Sequence, residues 1–171
     1  MTFAFGHLIG SWLAGKSYEF LNKNKIGNYT WAWLILGGIL PDADYLINFI
    51  LHSNFHRTFT HSFLFVILAW ILAFFVFWLL NEKQAKRFAF ALSIGVLMHL
   101  LIDFVSHQGV PFLWPLNYYF TPFGITLGKS GITMLSASAN QLRTFLKLAI
   151  LDMGLGTAWI FYLWMKMRLR F

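Results

Sequence analysis

His56-Arg57-Thr58-Phe59-Thr60-His61-Ser62 places two imidazoles and a guanidinium within seven residues, directly before an unbroken apolar run from Phe63 to Leu80. An imidazole can ligate a metal or move a proton, and a guanidinium matches a phosphate with a planar fork of donors. Eighteen apolar residues in a row are about enough to cross a bilayer core. The cluster therefore stands at the mouth of a membrane helix. His7, Asp42, Asp44, His99 and Asp103 recur at comparable depths in neighbouring apolar segments. Each such side chain costs a few kcal/mol in hydrocarbon, so their number in so apolar a chain points to mutual neutralisation around a shared metal ion.

His99-x-x-x-Asp103 is the sharpest local pattern, because residues i and i+4 share one helix face and can hold one ion together. The bland alternative is a histidine hydrogen-bonded to an aspartate; its position inside an apolar helix argues against that. Pro41-Asp42-Ala43-Asp44 brings two carboxylates to a helix break. One can bind metal while the other caps the next helix or orients a ligand; the assignment is Asp44 as ligand and Asp42 as catalytic base, with the reverse order open. His61 completes the ligand set with His7, and Thr60 and Ser62 are expected to cap the helix that follows. Arg57 beside His56 is placed to clamp a phosphate, against the alternative of an interfacial arginine on lipid headgroups. His52 and His107 fall at outer helix boundaries and read as structural. Asp152, inside the last apolar stretch, needs a hydroxyl or amide partner. There is no cysteine, so any metal is held by nitrogen and oxygen.

The elements that must position these groups belong to a membrane protein. The chain of 171 residues is 58% hydrophobic, 20% aromatic and only 11% charged, whereas charged residues approach a quarter of a soluble domain. The formal charge of +7 does not form a basic run interleaved with aromatics in a soluble module, which argues against nucleic acid. No protein partner can be inferred. The first lysine is Lys16, so the N-terminus lacks the basic region of a signal peptide and is expected to be retained.

The pattern predicts one all-α domain over residues 1–171, a polytopic bundle of about five helices. They run over 3–21, 29–51, 60–80, 88–106 and 140–167, with the second broken at Pro41. Residues 107–139 hold three prolines and four glycines among large aromatics and read as a long outer loop with short helical pieces. Trp31, Trp33, Trp78, Trp114, Trp159 and Trp164 read as an interfacial belt. If all five helices cross, Lys16, Lys23, Lys25, Lys83, Lys86, Arg87, Lys166, Arg168 and Arg170 fall on one face, against Arg57, Lys129, Arg143 and Lys147 on the other. By the positive-inside rule the N-terminus lies outside and the candidate ligands face the exterior. Asp44 and His99 then lie roughly 10 Å from the outer ends of their helices.

His7 with Gly10, Leu40-Pro41-Asp42-Ala43-Asp44, His56-Arg57, Thr60-His61-Ser62, His99-x-x-x-Asp103, Gly109-Val110 and Trp114-Pro115 together resemble the LexA-regulated, inner-membrane-bound metal-dependent hydrolases, over roughly residues 5–116. The succession Asp, His, then His-x-x-x-Asp is also similar to one zinc site of the zinc-dependent phospholipase C and S1/P1 nuclease group. That resemblance implies that Asp44 or Asp42, His61, His99 and Asp103 hold a first ion, and that His7 and Asp103 reach a second. The later His and His-x-x-x-Glu ligands of that group have no identifiable counterpart here, so a three-zinc site is not expected. Together the residues and the resemblance imply a membrane-bound hydrolase with one or two zinc-type divalent ions. It would cleave a phosphoester, such as a phospholipid headgroup, in contact with membrane lipid. Its rivals are a metal-binding transporter or channel and a non-catalytic lipid-binding protein.

Overall fold

The computed structural model describes residues 4–45, 50, 57–105, 109–127 and 139–166. Chain punctuation sets the elements. Helix α1 (Ala4–Asn22) is followed by Lys23 at φ 53°, the left-handed conformation that commonly ends a helix. Helix α2 (Asn28–Ile39) gives way to a 3-10 turn, Leu40–Ala43. Pro41 has no N–H to continue the ladder and its ring crowds the carbonyl four residues back, so the helix breaks where the sequence predicts. A second 3-10 turn, Phe59–His61, leads to helix α3 (Phe63–Leu79), whose cap is Ser62: its hydroxyl oxygen accepts from the Phe65 amide at 3.2 Å. Asn81, also left-handed at φ 55°, follows α3. Helix α4 (Ala85–Phe104) carries the His99 and Asp103 pair, and helix α5 (Ala139–Met165) closes the described chain.

The bundle is mostly helical, as expected. Among the described residues two helical stretches, Ala85–Phe104 and Leu142–Met165, are long and apolar enough to cross a membrane, and Phe63–Leu79 is a shorter apolar helix. Helices α2 and α4 meet at glycines: a Cβ on Gly95 would overlap the Leu34 carbonyl oxygen, and one on Gly37 the Leu92 carbonyl. In a bilayer lipid tails are as apolar as leucine, so close backbone approach of this kind replaces hydrophobic burial as the packing device. Helix α3 lies on the other side of α4 through Ala69, Leu92, Val96 and Leu100, capped by Val110 from the loop after α4, while Phe77, Phe88 and Ala89 fill the far end. Helix α1 lies on α2 and α4, and α5 lies on α1.

Three expectations change. Residues 118–127 are not helical pieces but a hairpin, β1 (Tyr118–Thr121) antiparallel to β2 (Gly124–Leu127), with Val110 bridged to Phe120. Tyr-Tyr-Phe-Thr and Gly-Ile-Thr-Leu are aromatic and β-branched runs around a Pro-Phe-Gly turn, which favours strands over short helices. Thr60 does not cap α3; its hydroxyl is used elsewhere. Trp33 is not part of a belt, since its ring packs edge-on against buried Phe77 at 4.8 Å. Trp78 and Trp164 are exposed as a belt would have them.

Candidate metal centre

Each candidate ligand is delivered by a local feature. The helix break at Pro41 releases carbonyls from the last turn of α2, and Gly38 uses its own to accept a hydrogen bond from His99 Nδ1 at 2.8 Å. A carbonyl can only accept, so Nδ1 of the neutral ring carries the proton and Nε2 is the acceptor nitrogen. The turn Phe59–His61 acts similarly on His61. Thr60 Oγ1 donates its one proton to Asp44 Oδ2 at 2.6 Å and stands 2.9 Å from His61 Nδ1. With that proton spent, the hydroxyl accepts from His61 Nδ1–H, and Nε2 is again the acceptor nitrogen.

The two Nε2 atoms face each other at 3.3 Å. Two lone pairs at that distance repel unless a cation or proton lies between them, and two carboxylate oxygens supply the matching negative charge. Asp103 Oδ2 lies 3.4 Å from His61 Nε2 and 3.8 Å from His99 Nε2. Asp42 Oδ1 lies 3.7 and 3.6 Å from the same two atoms. A tetrahedral ion with bonds of about 2.0–2.1 Å needs ligand atoms roughly 3.3 Å apart, so each of these separations, 3.3 to 3.8 Å, comes within about half an ångström of what a zinc-type ion requires. His61 and His99 are fully buried, and Asp42 is the most open of the four, its side chain 28% exposed.

Around this set stand residues that hold it. Arg57 Nη2 lies 2.9 Å from Asp103 Oδ1, turning Oδ2 to the imidazoles, while Nη1 reaches the Gly109 carbonyl at 3.4 Å. Arg57 is itself in the left-handed region, φ 54°, strained for a residue with a Cβ. Its carbonyl accepts a hydrogen bond from Tyr119 Oη at 3.1 Å. Burial pushes the Tyr119 phenol up, against the opposing pull of the Arg57 guanidinium, so it remains a donor at neutral pH. His7 stacks on His99 with ring centroids 3.7 Å apart, and its Nε2 is 3.7 Å from Asp103 Oδ1. His7, Asp42 and His99 also form a group whose ligand atoms all lie within 4.8 Å of one another.

His7, Asp42, Asp44, Arg57, His61, His99 and Asp103 are thus brought together. Asp42, not Asp44, faces the imidazole Nε2 atoms; Asp44 sits behind His61, 3.7 Å from its Nδ1. Arg57 spends its guanidinium on Asp103 and Gly109 rather than opening toward a phosphate. His56, His52 and His107 lie outside the described residues. Asp152 belongs to another structure: it accepts from the backbone amides of Phe5 and Gly6 at 3.2 and 2.7 Å. The Thr60 relay, the Gly38 carbonyl and Tyr119 are supports that residue type and spacing did not single out; for Tyr119 the alternation of the strand was the available signal.

No curated protein and no solved structure matches the chain. A family model described as YdjM inner membrane protein matches residues 1–168, which agrees with apolar helices gathered around one polar cluster. The chain belongs to the YdjM inner membrane protein family.

Proposed function

We propose that this inner-membrane protein is a metal-dependent hydrolase of phosphoesters, with a phospholipid headgroup as the substrate class nearest to hand. The observation that carries the reading is the pair of imidazole nitrogens 3.3 Å apart, both set as acceptors and flanked by two carboxylates. A divalent ion held by Asp42, His61, His99 and Asp103 would supply Lewis acidity and lower the pKa of a bound water toward neutrality. Asp42, the most open of the four, faces the side from which water and substrate approach and is the group best placed to accept a proton there. Asp44, through Thr60, keeps His61 in one tautomer, and Arg57 keeps the two oxygens of Asp103 in separate tasks. His7, Asp42 and His99, whose ligand atoms lie within 4.8 Å of one another, are the group on which a second ion would draw.

A multi-pass topology with the site toward the periplasm follows from the charge distribution, nine cations on one face against four on the other. The rival reading, an ion pathway, needs polar groups across the whole thickness. Beyond the cluster α4 instead packs through Val96, Leu92, Ala89 and Phe88, which favours a closed site over a channel.

The test is metal analysis of the purified protein, followed by a screen of generic phosphodiester and phospholipid substrates. The expected result is a bound divalent ion in the wild-type protein, its loss in His61→Ala and His99→Ala, and metal-dependent hydrolysis of at least one phosphodiester. Unchanged metal content in both variants would remove the premise. Full metal with no turnover on any phosphoester would leave a binding protein and not an enzyme.

A further inference from the structure

At the opposite end of the bundle a second feature has no part in the metal centre. Helices α1, α2 and α4 leave a cavity of about 150 Å³ lined by Ala14, Tyr18, Thr30, Leu34, Arg87 and Phe90, among others. Arg87 and Asp103 are 16 residues apart on α4, roughly 24 Å along a helix axis, so groove and ligands occupy opposite leaflets of a bilayer about 30 Å thick. The cavity is smaller than the roughly 300 Å³ at which pockets for whole small molecules begin. Tyr18 and Phe90 are 52% and 60% exposed, which leaves the groove open along the bundle surface. That shape suits a length of acyl chain that continues outside.

Charge decides which lipid. Arg87 lines the groove, is exposed, and uses one donor at the edge of hydrogen-bond range, on Gln84 Oε1 at 3.5 Å. Lys23, Lys25, Lys83 and Lys86 are exposed at the same end. The acidic groups there are engaged locally: Glu19 pairs with Lys16 and accepts from the Ile26 amide at 2.9 Å, which also ties down the rim, and Glu82 accepts from the Gln84 amide at 3.0 Å. The end is therefore cationic around an apolar slot. We propose that this groove is a binding site for one anionic diacyl phospholipid of the leaflet at the basic end, an acyl chain lying between α1 and α4 and the phosphate on Arg87. Basic pockets between membrane helices recognise anionic headgroups in this way, each nearby Lys or Arg contributing about 1 kcal/mol, or roughly five-fold in affinity. The site is separate from the metal centre and does not depend on its chemistry.

The full-length protein in detergent is titrated with phosphatidylglycerol, with phosphatidylcholine of the same chains, and with inorganic phosphate, and bound lipid is counted by native mass spectrometry. Phosphatidylglycerol is expected to be retained at least five-fold better than phosphatidylcholine. Arg87→Gln should cut that preference about five-fold with metal content unchanged, and Ala14→Phe, which fills the slot, should reduce retention of both lipids. Equal retention of the two lipids by the wild-type protein, or an unaltered preference in Arg87→Gln, overturns the proposal. So does displacement of phosphatidylglycerol by inorganic phosphate at equal concentration, since the chain would then play no part. Should Ala14→Phe fail to fold, the exposed Arg87→Gln variant decides alone.

Discussion

Arg57 and Asp103 form a buried ion pair at 2.9 Å, the guanidinium taking Oδ1 while Oδ2 turns to His61 and His99. Asp103→Asn therefore does two things: it removes the charge of a proposed ligand and strands a buried cation, which typically costs 3–5 kcal/mol. The double variant Arg57→Met with Asp103→Asn separates them. Its thermal stability should recover toward wild type, whereas its metal affinity stays at least 10-fold to 100-fold low, judged against the loss that even supporting residues cause. Recovery of both stability and full metal content would make Asp103 a structural partner of Arg57 and nothing more.

The Thr60 relay predicts an order among the two aspartates of the helix break. Asp42→Asn should abolish metal binding at micromolar metal. Asp44→Asn and Thr60→Val, which only release His61, should weaken it about 10-fold to 100-fold, and Thr60→Ser should retain wild-type affinity. Calorimetric titration with zinc checks the series, and an Asp44→Asn variant more impaired than Asp42→Asn would reverse the assignment.

Occupancy should also depend on pH in one direction. Imidazole ligates only when neutral, with an ordinary value near 6.5, so protons compete with metal as pH falls. Metal retained after dialysis at pH 7.5 should be lost progressively below about pH 6 and regained on return. Occupancy that rises on acidification would be incompatible with His61 and His99 as ligands.

Orientation can be read with single cysteines at Gln84, in the basic connection between α3 and α4, and at Thr126, exposed on β2. An impermeant thiol reagent applied to cells with a permeabilised outer membrane should label Thr126→Cys and spare Gln84→Cys. The opposite pattern would turn the metal centre to the cytoplasm.

The glycine contact between α2 and α4 gives a stability test remote from the ligands. Gly95→Ala pushes a methyl into the Leu34 carbonyl and the Gly37 backbone, atoms that cannot swing aside, so a loss of 1–3 kcal/mol or more is expected. Gly27→Ala, with nothing within 4 Å of its Cβ, meets no such clash and should cost less, no more than the roughly 0.5–1 kcal/mol of replacing an N-cap residue. Detergent-phase thermal melts of the two variants make the comparison.

Much of the site was legible because membrane helices restrict the choices. His99 and Asp103 could only share a face, and the break at Pro41 had to land near Asp42 and Asp44. Periodicity carried less: α3 is apolar all round, so which side meets α4 depends on Ala69 and Phe77 fitting against Val96 and Phe88, a matter of shape. Which aspartate faces the imidazoles turned on one 3-10 turn, since two residues along such a turn point in different directions. The pairing of Arg57 with Asp103 joins positions 46 residues apart, and a guanidinium near a membrane surface reads equally well as a phosphate clamp until its partner is seen.

Asp152 on α5 accepts from the amides of Phe5 and Gly6 across 147 and 146 residues, and the next residue of α1 is His7. The first amides of α1 have no partner within their own helix, and the carboxylate that serves two of them comes from α5, which follows every other described helix in the chain. Until α5 is made, the start of α1 lacks this anchor, although the segments that carry Asp42, His61, His99 and Asp103 precede α5 in the chain. On the proposed metal centre, a nascent chain that stops before α5 would carry the other candidate ligands with His7 not yet held in place.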